Sequence, residues 1–124
     1  MVQINAERLL HDLNELGKIG ELSPAEGGGL DRRPFSAAER SARDFFAARA
    51  EESGLVVTVD GAANLSARLN CGPANARTIL AGSHLDTVPH GGRYDGALGV
   101  LAALEALRSV REAGLHLPVH LEAI

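Results

Sequence analysis

Two short apolar segments separated by one long helical pattern constrain the fold of this chain most strongly. Residues 78–82 form the first apolar run and residues 118–124 the second. Between them, apolar residues recur with helical spacing from about Gly96 to Ala113, and Gly114 ends the pattern. A strand, a helix of about 17 residues and a second strand predict two parallel strands joined by a right-handed crossover. We expect the strand at 78–82 to be buried on both of its faces, as in other α/β proteins.

The N-terminal half adds two helices and a hairpin. An amphipathic pattern from Asn5 to about Ile19 predicts the first helix, with Asn5 as its N-cap. Residues 36–39 match a capping box and open a second helix. Two strands, at 55–59 and 64–69, flank an Asp-Gly turn signal and predict a hairpin. The sequence therefore predicts one α/β domain with a mixed sheet, a parallel crossover and flanking helices.

The connection that leaves the first crossover strand carries one histidine and two aspartates. His84 and Asp86 follow the strand, and Asp95 lies just before the helix. A neutral imidazole binds transition metals, and the Asp86 carboxylate could hold its other ring nitrogen if both residues face one side. Asp95 could cap the helix and still offer an oxygen to a metal. The carboxyl end of a strand is also where open α/β sheets bind ligands. The pattern indicates a metal or catalytic site, and an ordinary polar surface turn is the alternative.

Composition excludes several classes of function. The formal net charge is −4 and no basic patch is present, which argues against a nucleic-acid partner. No apolar run is long enough to span a membrane, and no signal peptide is evident. Cys71 is the only cysteine, which excludes an internal disulfide and fits a reducing, cytoplasmic compartment. A nucleotide-binding module is disfavoured because the acidic glycine-rich turn would repel phosphate.

Some charged residues are expected to be solvent-exposed rather than functional. His116 and His120 flank Pro118, and in a strand they would lie roughly 13 Å apart, so we expect surface histidines. The arginines of the N-terminal half are interleaved with acidic residues, and we expect them to form one solvated face: Arg32, Arg33, Arg40, Arg43 and Arg49.

The segment GSHLDTVPHGGRYDGALGVLAALEALR, residues 82–108, resembles the metal-binding segment of the di-zinc aminoacylase/carboxypeptidase superfamily. It is most similar to the branch of N-carbamoyl-L-amino-acid hydrolases, β-ureidopropionases and allantoate amidohydrolases. That branch carries G-S-H-x-D-[ST]-V-P followed by G-G-[RK]-[FY]-D-G-x-x-G-V. Residues 34–69 extend the resemblance, whereas GGGLDRR at 27–33 departs from the usual Gly-Gly-hydrophobic-Thr-Arg run.

The resemblance implies a zinc-peptidase-like catalytic domain that holds two divalent metal ions, zinc or else manganese, cobalt or nickel. His84 would be a terminal metal ligand, Asp95 the bridging ligand, and Asp86 the catalytic acid that orients His84. The reaction implied is hydrolysis of a small-molecule N-carbamoyl or ureido amide, which releases ammonia and carbon dioxide. The peptide bond after the bridging aspartate, here Asp95–Gly96, would be cis.

The resemblance also implies that residues 1–124 form only part of a catalytic domain. A general base, further metal ligands and a dimerisation domain would follow in the complete enzyme. We expect the last strand, at 118–124, to leave an exposed edge, and we expect homodimerisation or other self-association. The alternative is a truncated, catalytically inactive chain that acts only through self-association.

Overall fold

The computed structural model describes all 124 residues and contains three α-helices and four strands. The helices are α1 (Ala6–Leu16), α2 (Ala37–Glu52) and α3 (Ala97–Glu112). The strands are β1 (Val56–Val59), β2 (Leu65–Leu69), β3 (Thr78–Ala81) and β4 (His120–Ala123). A single 3₁₀ turn covers Pro24–Glu26. No helix combines the length and apolar character that a bilayer crossing requires.

The helix ends follow local sequence signals. The Asn5 side chain accepts a hydrogen bond from the Arg8 backbone N–H, so Asn5 caps α1 as predicted. Ser36 caps α2 through the Glu39 backbone N–H at 3.1 Å. Only this half of the predicted capping box forms at Ser36, and the Glu39 carboxylate instead lies 3.7 Å from the Arg43 guanidinium.

The four strands form one mixed sheet in the order β1-β2-β4-β3. β1 and β2 form the predicted antiparallel hairpin, and β2 also pairs antiparallel with β4. β3 and β4 are parallel, with Thr78 opposite His120 and Ala81 opposite Ala123. The predicted mixed sheet with a parallel crossover through α3 is therefore confirmed.

Two predictions about the sheet are wrong. β3 is not buried on both faces, because Ile79 and Leu80 are each 55% exposed. β4 does not form an edge, because it lies between β2 and β3, and the free edges belong to β1 and β3. The apolar composition of 78–82 indicated a strand but could not indicate its place in the sheet.

The core lies between the sheet and the helices. It comprises 16 buried residues, and Phe46 of α2, Leu104 of α3 and Ala67 of β2 lie near its centre with almost no exposure. α2 and α3 pack against the sheet, while α1 packs on α3. This packing fixes the N-terminal end of α3 beside the carboxyl end of β3, where the candidate site lies.

Buried ion pairs join the helices. Asp12 of α1 accepts a hydrogen bond from Arg108 of α3 at 2.6 Å and lies 3.2 Å from the Arg49 guanidinium of α2. Glu105 of α3 is fully buried and accepts two hydrogen bonds from the Arg8 guanidinium, each 2.8 Å long. Each of these buried carboxylates therefore has a cationic partner.

The structure also corrects the expectation for His120. This side chain is buried, and its Nδ1 accepts a hydrogen bond from the Gly72 backbone N–H at 3.3 Å. It therefore packs the loop after β2 against β4. His116 is exposed, as expected.

Candidate metal centre

The site loop leaves the sheet at the carboxyl end of β3, as the sequence predicts. Gly82 follows β3 and is in close contact with the Ile124 carbonyl, so the position has no room for a side chain. The Ser83 backbone N–H then donates to the Ile124 carbonyl at 3.0 Å. Regular strand pairing ends at Ala81, so His84 and Asp86 lie on a loop rather than on a continued strand.

The His84 ring is held in one tautomer by a backbone contact. Its Nδ1 lies 3.0 Å from the Asp86 carbonyl oxygen. A carbonyl can only accept, so Nδ1 carries the proton and donates it, which leaves the Nε2 lone pair free. A histidine that binds a metal needs one unprotonated nitrogen and a partner for the other. His84 meets both conditions.

Asp86 contacts the histidine in a different way from the one expected. The sequence predicted that its carboxylate holds the ring, but the carboxylate oxygen is 3.5 Å from Nδ1 and the closer partner is the carbonyl. The carboxylate still places a negative charge beside the protonated nitrogen, which favours electron donation from the ring to a cation.

Asp95 faces the free nitrogen of His84. Its Oδ1 lies 3.8 Å from Nε2. Two ligands of one tetrahedral zinc ion are about 3.3 Å apart, given bond lengths of about 2.0–2.1 Å. A displacement of about half an ångström would bring the two ligand atoms to that separation. The donor atoms of His84 and Asp95 therefore fit a divalent metal ion.

A strained turn presents Asp95 to the histidine. Gly96 has φ 70° and ψ −50°, and the Ala97 N–H donates to the Asp95 carbonyl at 2.8 Å. This is the γ-turn with positive φ, which is rare and strained. A Cβ at Gly96 would also collide with His84. Two expectations for this connection are wrong: the Asp95–Gly96 peptide bond is not cis, and the Asp95 side chain does not cap α3.

The three site residues are accessible to solvent. The side chains of His84, Asp86 and Asp95 are 49%, 42% and 62% exposed. An open cleft of about 200 Å³ adjoins His84 and Asp86 and contains Phe46 and Arg43 among its lining residues. A larger depression of about 500 Å³ lies near the opposite end of α3, where no metal-binding cluster is found.

The structure contains only part of a metal site. No group of three histidine, cysteine, aspartate or glutamate side chains converges on one point. A catalytic zinc usually has three protein ligands, and His84 and Asp95 supply two. The structure thus brings all three predicted site residues together but does not complete a coordination sphere.

Arg32 contacts the site loop, and sequence reasoning missed it. The sequence predicted that Arg32 lies on a solvated face, but its side chain is fully buried. Nε donates to the Leu85 carbonyl at 3.0 Å, and the backbone N–H donates to Thr87 Oγ1 at 2.9 Å. Burial lowers the pKa of Arg32, while the nearby Asp86 charge opposes that shift. Arg32 stands at the arginine of the usual Gly-Gly-hydrophobic-Thr-Arg run, and that match was the signal available in the sequence.

The glycine-rich segment before Arg32 supports the same loop. Leu30 and Gly91 exchange two backbone hydrogen bonds, of 3.0 and 2.9 Å. His90 Nδ1 contacts the Gly28 carbonyl at 2.9 Å, so its ring is engaged with the backbone and does not face His84. The triple glycine therefore packs against the site loop.

No protein-family model matches the chain. Individual relatives do match it. It is 42% identical over 122 residues to an N-carbamoyl-L-amino acid amidohydrolase of Geobacillus stearothermophilus, covering 97% of this chain and 29% of that enzyme. It is 36% identical over 112 residues to allantoate deiminase 2 of Glycine max, covering 90% of this chain and 22% of that enzyme.

A solved structure agrees with these matches. The fold superposes on a hydantoinase/carbamoylase family amidase from Burkholderia ambifaria with a TM-score of 0.90 and 40% sequence identity. That match covers 98% of this chain and 29% of the amidase. The chain therefore spans less than a third of the length of the relatives it matches.

These matches confirm the resemblance that the sequence indicated. Over less than a third of their length, the chain is similar to amidohydrolases that act, by their names, on N-carbamoyl-L-amino acids and allantoate. The predicted fold class, α/β with a mixed sheet and flanking helices, is also confirmed by this amidase.

Proposed function

We propose that this chain forms the N-terminal part of the catalytic domain of a metal-dependent amidohydrolase. The substrate would be a small linear N-carbamoyl or ureido amide, such as an N-carbamoyl-L-amino acid or allantoate. Hydrolysis would cleave the carbamoyl or ureido C–N bond and release ammonia, carbon dioxide and the remaining amino acid or ureido acid. The observation that carries the proposal is the free Nε2 of His84, which faces the Asp95 carboxylate at 3.8 Å.

Each of the three residues has a role that follows from its contacts. His84 would bind one divalent cation through Nε2, because its Nδ1 proton is already donated to the Asp86 carbonyl. The Asp95 side chain is 62% exposed at a loop end, and its carboxylate could bridge two cations. Asp86 would keep the ring of His84 oriented. Nitrogen and carboxylate donors suit zinc, manganese, cobalt or nickel, and two such ions would polarise the amide carbonyl and activate water.

The remaining parts of the site would come from the portion of the enzyme that this chain does not span. Two protein ligands hold a catalytic metal weakly, and no group of three ligands forms here. Asp86 lies beside His84 and would orient its ring, so we expect the general base to come from the rest of the enzyme. General bases typically contribute about 10²- to 10⁴-fold in rate. We therefore expect residues 1–124 alone to be inactive. The single cysteine, Cys71, is buried and free, which agrees with a cytoplasmic location.

Calorimetric titration of zinc and of manganese into the 124-residue chain tests the proposal. We expect binding at micromolar concentrations that is lost in His84→Ala and weakened at least tenfold in Asp95→Asn. His116→Ala is the matched control, because His116 is exposed and belongs to no cluster. Equal binding by the parent chain, His84→Ala and His116→Ala would refute the metal site.

The exposed edge of β3 supports the second candidate function, self-association without catalysis. β3 has unpaired backbone groups along one side, and Ile79 and Leu80 are exposed beside them. Edge strands of this kind pair with other chains unless charges or prolines prevent it. Sedimentation should show dimers or larger species that Leu80→Lys reduces. Leu10→Lys is the control, since Leu10 is equally exposed but helical. A monomer at all concentrations would exclude this function.

A further inference from the structure

We infer that Arg32 is a positioning residue for His84: it fixes the loop that carries the histidine, and so sets the affinity of the proposed metal site. The inference rests on the proposed function only in naming a metal as the ligand of His84. Arg32 has no place among the metal ligands and lies on a different segment of the chain.

The contacts of Arg32 converge on the residues around the histidine. Its Nε holds the carbonyl of Leu85, the residue between His84 and Asp86. Its backbone carbonyl accepts from the Thr87 N–H at 2.9 Å, and its backbone N–H donates to Thr87 Oγ1 at 2.9 Å. Three hydrogen bonds therefore fix residues 85–87, which include the Asp86 carbonyl that sets the tautomer of His84.

The other end of the guanidinium is anchored to α1. Nη1 donates to the carbonyls of Leu16 at 3.0 Å and Ile19 at 3.2 Å, which lie at or just beyond the C-terminus of that helix. α1 has no basic residue in its own last turn, so Arg32 supplies the cation that the negative end of the helix dipole favours. The loop is thus tied to a rigid element.

The electrostatic environment of Arg32 is unusual for a purely structural residue. It is fully buried, forms no salt bridge, and its Nη2 has no hydrogen-bond partner. Burying a charge without an ion partner is costly, and apolar side chains of similar size often replace such groups without loss of stability. An arginine here is explained by the geometry it imposes on three carbonyls, which belong to Leu16 at the end of α1, Ile19 in the turn after it and Leu85 in the site loop.

Two kinds of variant separate positioning from stability. Arg32→Met removes the guanidinium but keeps much of the apolar volume, and Arg33→Met is the matched control because Arg33 is exposed. Thr87→Val removes the hydroxyl that accepts from Arg32, while Thr87→Ser restores a hydroxyl. The Thr87 pair tests only the bond from the residue 32 backbone N–H, so Arg32→Lys, which keeps a cation but not the planar guanidinium, serves if Arg32→Met fails to fold.

Two measurements are made on each folded variant. Zinc affinity by calorimetry should fall about tenfold or more in Arg32→Met and Thr87→Val, the range seen when residues that support metal ligands are altered. Thr87→Ser and Arg33→Met should retain the parent affinity. Nitrogen NMR of the His84 ring should show the Nδ1–H tautomer in the parent and a mixture of tautomers in Arg32→Met or, if that is unfolded, in Arg32→Lys.

The outcomes distinguish this inference from the proposed function. If the parent chain binds no zinc, the proposed function fails, and the tautomer measurement still decides the role of Arg32. If the parent binds zinc and folded Arg32→Met or Arg32→Lys binds it equally well with an unchanged ring tautomer, the positioning role is refuted.

Discussion

Removing the Asp12 carboxylate should destabilise the protein more than any change to a surface charge. The Asp12 side chain is 4% exposed and that of its partner Arg108 is 5% exposed, so Asp12→Ala removes the hydrogen-bonded partner of a buried guanidinium and leaves it only Glu105, at 3.7 Å, as an ion partner. Breaking a buried pair in this way costs about 3–5 kcal/mol. Domains of this size have a total stability of about 5–15 kcal/mol, so the loss is a large fraction of the free energy of unfolding.

Urea denaturation followed by circular dichroism measures this loss. Glu15→Ala is the control, because Glu15 lies on the same helix and pairs with Lys18 on the exposed surface. Exposed pairs contribute little to stability, so the control should unfold near the parent midpoint. The double variant Asp12→Ala/Arg108→Met should lose less than the two single changes added together, because it buries no unpaired charge. If Asp12→Ala unfolds at the same urea concentration as Glu15→Ala, the reasoning about this buried pair is refuted.

Three further predictions concern the core, a turn and the response to pH. Leu104→Ala should lower the free energy of unfolding, measured by thermal denaturation, by about 2–5 kcal/mol, because Leu104 is fully buried. A loss below about 1 kcal/mol would contradict the packing. Gly54→Ala should lower the free energy of unfolding by about 1 kcal/mol or more, because Gly54 has φ 69°. Gly61→Ala is the control and should leave stability unchanged, because φ at Gly61 is not positive and the space around it is open. Burial opposes ionisation of Glu105, but hydrogen bonds from Arg8 and the Asn5 N–H outweigh it and lower its pKa below 4.5. The stabilising contribution of the Glu105 carboxylate is therefore present above the ordinary pKa of a glutamate and lost as the pH falls through the folded pKa. In urea denaturation at a series of pH values, Glu105→Gln should flatten this acidic part of the curve of unfolding free energy against pH.

The elements that were predicted well are those with strong local signals. The Asn5 cap, the Asp-Gly hairpin and the long apolar pattern of α3 each depend on neighbouring residues, so the sequence was sufficient. The meeting of His84 with Asp95 was also predicted, because both residues flank one short connection between a strand and a helix.

The features that were missed depend on contacts between distant parts of the chain. Arg32 resembles any arginine beside acidic residues, and only the fold reveals that it enters the interior to reach Leu16 and Leu85. The order of strands likewise depends on β4 pairing with β2, which is more than 50 positions earlier in the chain. Side-chain pattern carries no information about which strand lies at an edge.

The central position of β4 has a consequence for the order of assembly. β3 hydrogen-bonds to no strand except β4, which the chain reaches only after α3 has been made. During synthesis the β1–β2 hairpin can form early, whereas β3 must wait for residues 120–123 to arrive between them. The strand that leads to His84 therefore joins the sheet late, and the metal-binding loop can acquire its geometry only when nearly all of residues 1–124 have been made.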